Sequence, residues 1–402
     1  MSISTENDED IRGVSLEVPI AVSDEKQSSV ETATRPSPPP PPDGGLMAWL
    51  QVAGAFFLFF NSWGVVNTFG VFQSYYEDVL LAKYSASSIS WIGTIQGFCL
   101  FLAGVVVGPV FDKGHLKVLI TIGTFLVVFG LMMTSLSTEY YQVFLAHGLS
   151  VGIGCAFLFL PSIAIVATYF TTHRALAMGI TASGGSIVMK MRLSPPKHSR
   201  SMFDFSALKE IPFLVFCFGL FFVFTGLYFP FFYLPSYFSV FLHSDTNIAF
   251  YSIAILNAAS VFGRITPGIL ADRIGSVNTI VPISAIATIL AFAWIGIRNE
   301  AGTIVFACIY GYASGALVSL PPTIVAHLAP NMSVVGTWLG MCFIFAGLGL
   351  LIGNPIAGAL LNLQDAVFWK AQLFCAVMVA AGMILLAGLR LLKYNQADGW
   401  KM

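Results

Sequence analysis

The chain has 402 residues, of which 56% are hydrophobic and only 10% are charged, with a formal net charge of −1. A soluble domain covers its core with far more polar surface than this chain has. The composition therefore excludes a soluble globular protein. The charge is also uneven, because residues 1–45 carry nine acids and three bases while the remainder carries a net +5.

The first 45 residues are polar and rich in serine and threonine, and they end in five consecutive prolines at 38–42. They contain no apolar core, so we expect no cleavable signal peptide. Such a segment cannot bury enough surface to fold, and a proline run favours the stiff polyproline II helix. We therefore predict a disordered cytosolic tail over 1–45, with a plain spacer role favoured over partner docking.

Eleven apolar runs follow, and nearly all charged residues lie in the gaps between them. About 20 apolar residues suffice for a helix to cross roughly 30 Å of hydrocarbon. Lipid offers no water to unpaired backbone groups, so each run should be a helix. The runs are 46–71, 88–111, 116–136, 141–168, 175–188, 211–233, 247–270, 279–297, 302–325, 335–361 and 369–392. We predict an all-α, polytopic integral membrane protein.

Loop charges set the expected orientation. Lys113 and Lys117 follow the second run and Arg174 follows the fourth, whereas Glu77 and Asp78 lie in the predicted loop after the first. Bases accumulate in cytosolic loops, so both termini should be cytosolic. The plasma membrane is the expected location.

This alternation fails after the fifth run. Residues 190–210 form the most basic loop of the chain but would fall outside, and the run 175–188 would span only about 21 Å as a helix. The simplest explanation is that the end of the fifth span and a whole sixth span are absent between residues 188 and 191. The alternative is a re-entrant fifth span, whose backbone would need protein partners at membrane depth.

The predicted domains follow from that explanation. An incomplete N-terminal bundle of helices 1–5 covers 46–189, a cytosolic loop covers 190–210, and a six-helix C-terminal bundle covers 211–393. A cytosolic tail completes the chain at 394–402. We expect about 10–11 helices in a fold that normally has 12.

One short pattern, G-x-x-x-D-[KR], occurs at equivalent places in the two halves. Its glycine allows close helix approach, and its acid and base can form a charge pair that holds neighbouring helices together. The alternative reading is that any cytosolic turn attracts a base. The repeated residues are Gly108, Asp112 and Lys113 after the second run, and Gly268, Asp272 and Arg273 after the seventh.

The repeated pattern resembles the motif in cytosolic loops of the major facilitator superfamily. Two stretches, 43–49 (DGGLMAW) and 169–184 (YFTTHRALAMGITASG, which contains Arg174), are similar to the fungal branch of the monocarboxylate transporter family. The resemblance covers about 43–393. It implies two six-helix bundles around a central cavity, cytosolic termini and a structural or gating role for the repeated motif and Arg174.

Arg264 is the only arginine that the sequence places well inside a predicted span. It lies eight residues before Asp272. Intramembrane charges tend to be functional, although an arginine at this depth could also snorkel to the cytosolic face. The resemblance implies that Arg264 binds a substrate carboxylate. It also places Asn67 and Ser260 where animal members have a lysine and an aspartate. Neither titrates, so proton-coupled symport by that mechanism is not expected. Asn257 is a weaker candidate for the cavity.

The sequence thus predicts a secondary transporter that moves a small organic solute, a monocarboxylate or related organic anion, by alternating access. The alternative is a non-transporting membrane protein, either a sensor or a defective truncated product. Enzyme signatures are missing, and the six cysteines lie within apolar runs without metal-site spacing. We expect no enzyme activity, cofactor, metal or nucleic-acid partner. The expected partners are the solute and the lipid bilayer, and the need for an accessory protein is not indicated.

Overall fold

The computed structural model describes residues 44–102, 104–170, 174–182, 207–330 and 335–394. Within these residues the secondary structure is helical, which confirms the predicted fold class. Nine of the described helices are long and apolar enough to cross a bilayer. The helices are α1 Leu46–Leu80, α2 Ala86–Leu102, α3 Gly104–Asp112, α4 Leu116–Leu136, α5 Tyr140–Val166, α6 Arg174–Ala182, α7 Ile211–Phe241, α8 Thr246–Ile274, α9 Ser276–Trp294, α10 Glu300–Leu328, α11 Val335–Leu360 and α12 Trp369–Tyr394.

Two spans extend further than hydropathy predicted. α1 continues to Leu80 rather than ending at 71, and α7 continues to Phe241 rather than 233. The placement of Glu77 and Asp78 in a loop was therefore wrong. A polar residue ends an apolar run but need not end a helix: Gln73 donates to Glu77 one turn later, at 2.9 Å, within the continuing helix.

The two halves of the chain, α1–α6 and α7–α12, meet along several helix pairs. α1 packs on α7, α2 packs on α11 and so does α3, and α6 packs on α8 and α10. Glycines make the first two contacts close. A Cβ on Gly70 would collide with the carbonyl oxygen of Phe231, and one on Gly97 would collide with the side chain of Leu350.

The halves are not equally covered. In the second half, α12 packs across α7 and α9. In the first half no described helix takes that place, and α1 and α4 are buried over only 50% and 28% of their apolar windows, against 67% and 50% for α7 and α9. Phe60 on α1 is 62% exposed. A further helix like α12 would cover this surface.

Several predictions fall on residues that are not described. The proposed loss of a span between 188 and 191, and most of the basic loop 190–210, lie in 183–206. The tails lie largely in 1–43 and 395–402. Five of the six cysteines are buried, but Cys308 is exposed on α10.

Candidate substrate site and gates

One face of the bundle, the side at which α1 begins, is closed by Asp272. The start of α1 lies beside the start of α6, because the rings of Trp49 and Phe170 are 5.2 Å apart. The Asp272 carboxylate at the end of α8 accepts hydrogen bonds from the backbone N–H groups of Ala175 and Leu176, at 3.2 and 3.1 Å. It thereby caps the first turn of α6, where the helix dipole favours an anion. This contact joins the two halves at the face predicted to be cytosolic.

The opposite face is closed by a polar cluster at the end of α1. Ser236 on α7 donates to one carboxylate oxygen of Glu77 at 2.9 Å, and Gln73 donates to the other. The hydroxyls of Ser74 and Ser236 are 3.5 Å apart. The start of α2 and the end of α11 also meet, since Ser87 donates to the carbonyl oxygen of Pro355 at 2.9 Å. The described contacts therefore close the bundle at both faces.

Between these closures lies a small void at the meeting of the halves. Its volume is about 10 Å³, roughly the room that one water molecule needs. This void, as it stands, is too small to hold a solute. The residues that line the void are Phe59, Ile163, Met178, Thr181, Val318, Ser319 and Pro322.

Arg264 lies beside this void and is 6% exposed. Its guanidinium carbon is 5.5 Å from the ring centroid of Phe59, and the hydroxyl of Ser319 lies 3.5 Å from its backbone carbonyl oxygen. Phe59 and Ser319 both line the void. A cation–π contact with a buried ring stabilises a guanidinium.

Next to Arg264, an aromatic cluster joins the two halves. Trp63 is fully buried, stacks on Phe159 at 5.3 Å and meets Tyr228 of the second half edge-on at 6.0 Å. Tyr228 lies within electrostatic range of Arg264. The cluster consists of Phe59, Trp63, Phe101 and Phe159 from the first half and Phe224, Tyr228 and Phe343 from the second.

The other predicted site residues are placed at different depths. α1 and α8 run antiparallel, and two contacts set their register: Phe59 with Arg264, and Gly70 with Ile253. Asn67 is eight residues beyond Phe59, about 12 Å along the helix, which makes it level with Asn257 rather than with Arg264. Asn67 is 3% exposed, so a contact with solute would need the halves to part.

Ser260 and Asn257 lie on the same helix as Arg264. The hydroxyl of Ser260 donates to the backbone carbonyl of Asn257 at 2.7 Å, so it is satisfied within α8. Asn257 is half-buried. Roles for these residues in binding stay predictions.

The two copies of the repeated motif differ in their packing. A Cβ on Gly268 would lie 2.7 Å from the carbonyl oxygen of Ala175, whereas one on Gly108 would meet, among the described residues, only Leu160, at an ordinary 3.6 Å. Within the part of the chain that the structure describes, close helix approach is therefore seen at the second copy and not at the first. Lys113 and Arg273 are exposed, and the side chains of Asp112 and Arg174 lie outside the description.

Sequence reasoning missed two features: the residues that close the face at the end of α1, and the aromatic cluster. Glu77 was assigned to a loop, and the helical spacing of Gln73 and Glu77 was the signal that could have placed it in α1. Phe59 and Trp63 carry no such signal, because aromatic residues are frequent in every apolar run of this chain.

Comparison with known proteins supports a transporter. The sequence profile of the Major Facilitator Superfamily matches residues 51–191. The chain is 39% identical over 358 residues to MFS-type transporter dbaD of Emericella nidulans, covering 80% of each protein. It is 36% identical over 412 residues to the aspyridones efflux protein apdF of the same organism, covering 93% of this chain and 84% of that one. It is 34% identical over 384 residues to the agnestins efflux protein AgnL12 of Paecilomyces divaricatus, covering 86% and 88%.

These relatives do not confirm the narrower prediction of a monocarboxylate-transporter-like family. Among solved structures, the nucleoside transporter NupG is similar in fold, with a TM-score of 0.58 and 17% identity, over 86% of this chain and 98% of that one. This likeness agrees with the helical architecture described above. The chain is a multi-pass integral membrane transporter that belongs to the Major Facilitator Superfamily.

Proposed function

We propose that this protein moves a small organic anion, a carboxylate or a similar acid, out of the cytosol by alternating access. The observation that carries the proposal is the burial of Arg264 between the two halves, beside the void. A cation in the middle of a membrane protein is costly and tends to face a pathway. Export is supported by relatives that are named as efflux proteins.

Guanidinium chemistry favours an anion with two oxygens. Its planar fork can donate two parallel hydrogen bonds to a carboxylate, which a lysine ammonium cannot do. Phe59 supports the guanidinium from one side. A solute acid that enters the space now occupied by the void would therefore contact Arg264 first.

The closed contacts at the two faces support alternating access. The capping of α6 by Asp272 must break to open one face, and the bond between Ser236 and Glu77 must break to open the other. Each face is closed by only a few of the contacts described above, so the contacts at one face can break while those at the other face form. We further propose that the termini face the cytosol and that the protein acts in the plasma membrane.

Transport into proteoliposomes tests the anion proposal. The solutes are lactate and benzoate, each paired with its neutral amide. We expect exchange of the acids and not of the amides. Arg264→Lys should weaken acid binding about ten- to a hundredfold, because it loses one or more charge-assisted hydrogen bonds of about 1.5–3 kcal/mol. Arg298→Lys is the matched control, since Arg298 is exposed in a loop. Equal affinity of Arg264→Lys and the parent chain would overturn the site.

A second candidate is a membrane protein that does not transport. It is supported by the uncovered surface of α1 and α4, where the second half has α12. If that surface lacks a helix, lipid contacts its small and polar residues and the halves lose their symmetric packing. Full solute exchange by the 402-residue chain alone would exclude this candidate.

A further inference from the structure

The aromatic cluster is larger than the anchoring of a small acid requires. Its first-half rings and second-half rings face each other across the plane along which the halves would part. Phe101 shows this best, because it contacts Phe224 at 5.7 Å and Phe343 at 5.2 Å, both in the second half. If the halves part along this plane, these pairs would separate and their ring faces would line the opened space.

Two polar groups inside the cluster are incompletely satisfied. The indole N–H of Trp63 and the hydroxyl of Tyr228 are buried neighbours that interact with each other, but among the described residues neither has a hydrogen bond of good geometry. Buried tryptophan and tyrosine side chains usually find partners. An unpartnered indole alone is not diagnostic, since Trp294 has one too. Trp63 differs in lying between the halves, beside Tyr228, a second group without a well-formed hydrogen bond, and beside Arg264.

We propose that the aromatic cluster is a second subsite that binds a flat, conjugated ring of the solute, while Trp63 and Tyr228 bond to a polar substituent on it. This inference rests on the proposed function and narrows its solute to aromatic or conjugated organic acids. The spacing fits one molecule, because Phe59 belongs to the cluster and also supports Arg264. Offset or edge-on stacking against rings gives an unsaturated solute an advantage that a saturated one of equal size lacks.

Three probes separate the ring from the charge. They are 2-naphthoate, its saturated counterpart decahydro-2-naphthoate, and the neutral 2-naphthamide. Binding is measured by equilibrium dialysis against the full chain in lipid nanodiscs, with empty nanodiscs subtracted. We expect 2-naphthoate to bind about tenfold more tightly than the saturated acid.

Trp63→Leu should reduce this preference about three- to tenfold. Trp294→Leu is the matched control: Trp294 is equally buried, but it stacks on Phe306 at 4.9 Å within the second half, so the preference should not change. Trp63→Phe retains a ring and should keep most of the preference. If Trp63→Leu does not fold, Phe101→Leu provides the same test from α2.

The outcomes distinguish the two proposals. Equal binding of the aromatic and saturated acids to the parent chain, or equal losses in Trp63→Leu and Trp294→Leu, would overturn the aromatic subsite while leaving the anion site intact. Equal binding of 2-naphthoate and 2-naphthamide, with the ring preference retained, would overturn the role of Arg264 and leave the subsite standing. No binding of any probe would overturn both.

Discussion

Removal of the Asp272 carboxylate should open the face at which α1 begins. Asp272 caps α6 through the N–H groups of Ala175 and Leu176, and it is the side chain that joins α8 to the first turn of that helix. Asp272→Ala removes both hydrogen bonds. Asp272→Asn keeps an acceptor oxygen but removes the charge.

The expected magnitudes are modest, because Asp272 is exposed to solvent. Loss of a helix-capping side chain costs about 0.5–2 kcal/mol, so Asp272→Ala should raise the open fraction about two- to thirtyfold. Loss of the charge near a helix N-terminus costs about 0.3–1 kcal/mol, so Asp272→Asn should raise it about two- to fivefold.

A cysteine in the void measures the open fraction. Thr181 lines the void and is 1% exposed, so Thr181→Cys reacts with a water-soluble maleimide only when the halves part. The labelling rate in nanodiscs should rise by the factors above, in the order parent, Asp272→Asn, Asp272→Ala. The chain without Thr181→Cys provides the background from the native cysteines.

Arg273→Ala is the control, because Arg273 is the exposed neighbour of Asp272 in the same motif. Its labelling rate should equal that of the parent. An unchanged rate in Asp272→Ala, or an equal rise in Arg273→Ala, would refute the claim that capping of α6 holds this face closed.

Three further predictions concern packing, the face at the end of α1, and topology. Gly268→Ala should prevent closure and raise labelling at the void, because its Cβ would lie 2.7 Å from a carbonyl oxygen, while Gly108→Ala should be tolerated; similar effects of the two would contradict this. Ser236→Ala removes the hydrogen bond to Glu77 and should widen spin-label distances across the face at the end of α1, whereas unchanged distances would show that this bond does not hold the face shut. Ser199→Cys should resist labelling from outside intact cells, since residues 190–210 are predicted to be cytosolic, and modification there would reverse the assigned topology.

Much of the fold could be read from the sequence, because the membrane imposes a local rule. Each crossing needs a long apolar run, and the backbone within it must satisfy its own hydrogen bonds. The runs therefore predicted the helices. The same reasoning marked Arg264 as an unusual buried cation, and the repeated motif pointed to Asp272 before any contact was known.

The ends of helices and the partners of side chains could not be read in this way. Glu77 bonds to Ser236 across 159 residues of sequence, so no local sum of hydropathy indicates that this acid joins α1 to α7. The depth of Asn67 depends on the register between α1 and α8, which two distant contacts set. The register and rotation of each helix depend on how it packs against its neighbours. No repeating pattern in the sequence indicates this packing.

The sequence by itself determined that this chain spans a membrane many times, where most of its helices lie and which cation they bury. Only the tertiary structure decided that Gly268 packs closely while Gly108 does not, and that seven aromatic rings from two halves meet beside Arg264. The physical reason is that transfer into lipid depends on the composition of each segment, whereas a site depends on which surfaces of distant segments come into contact.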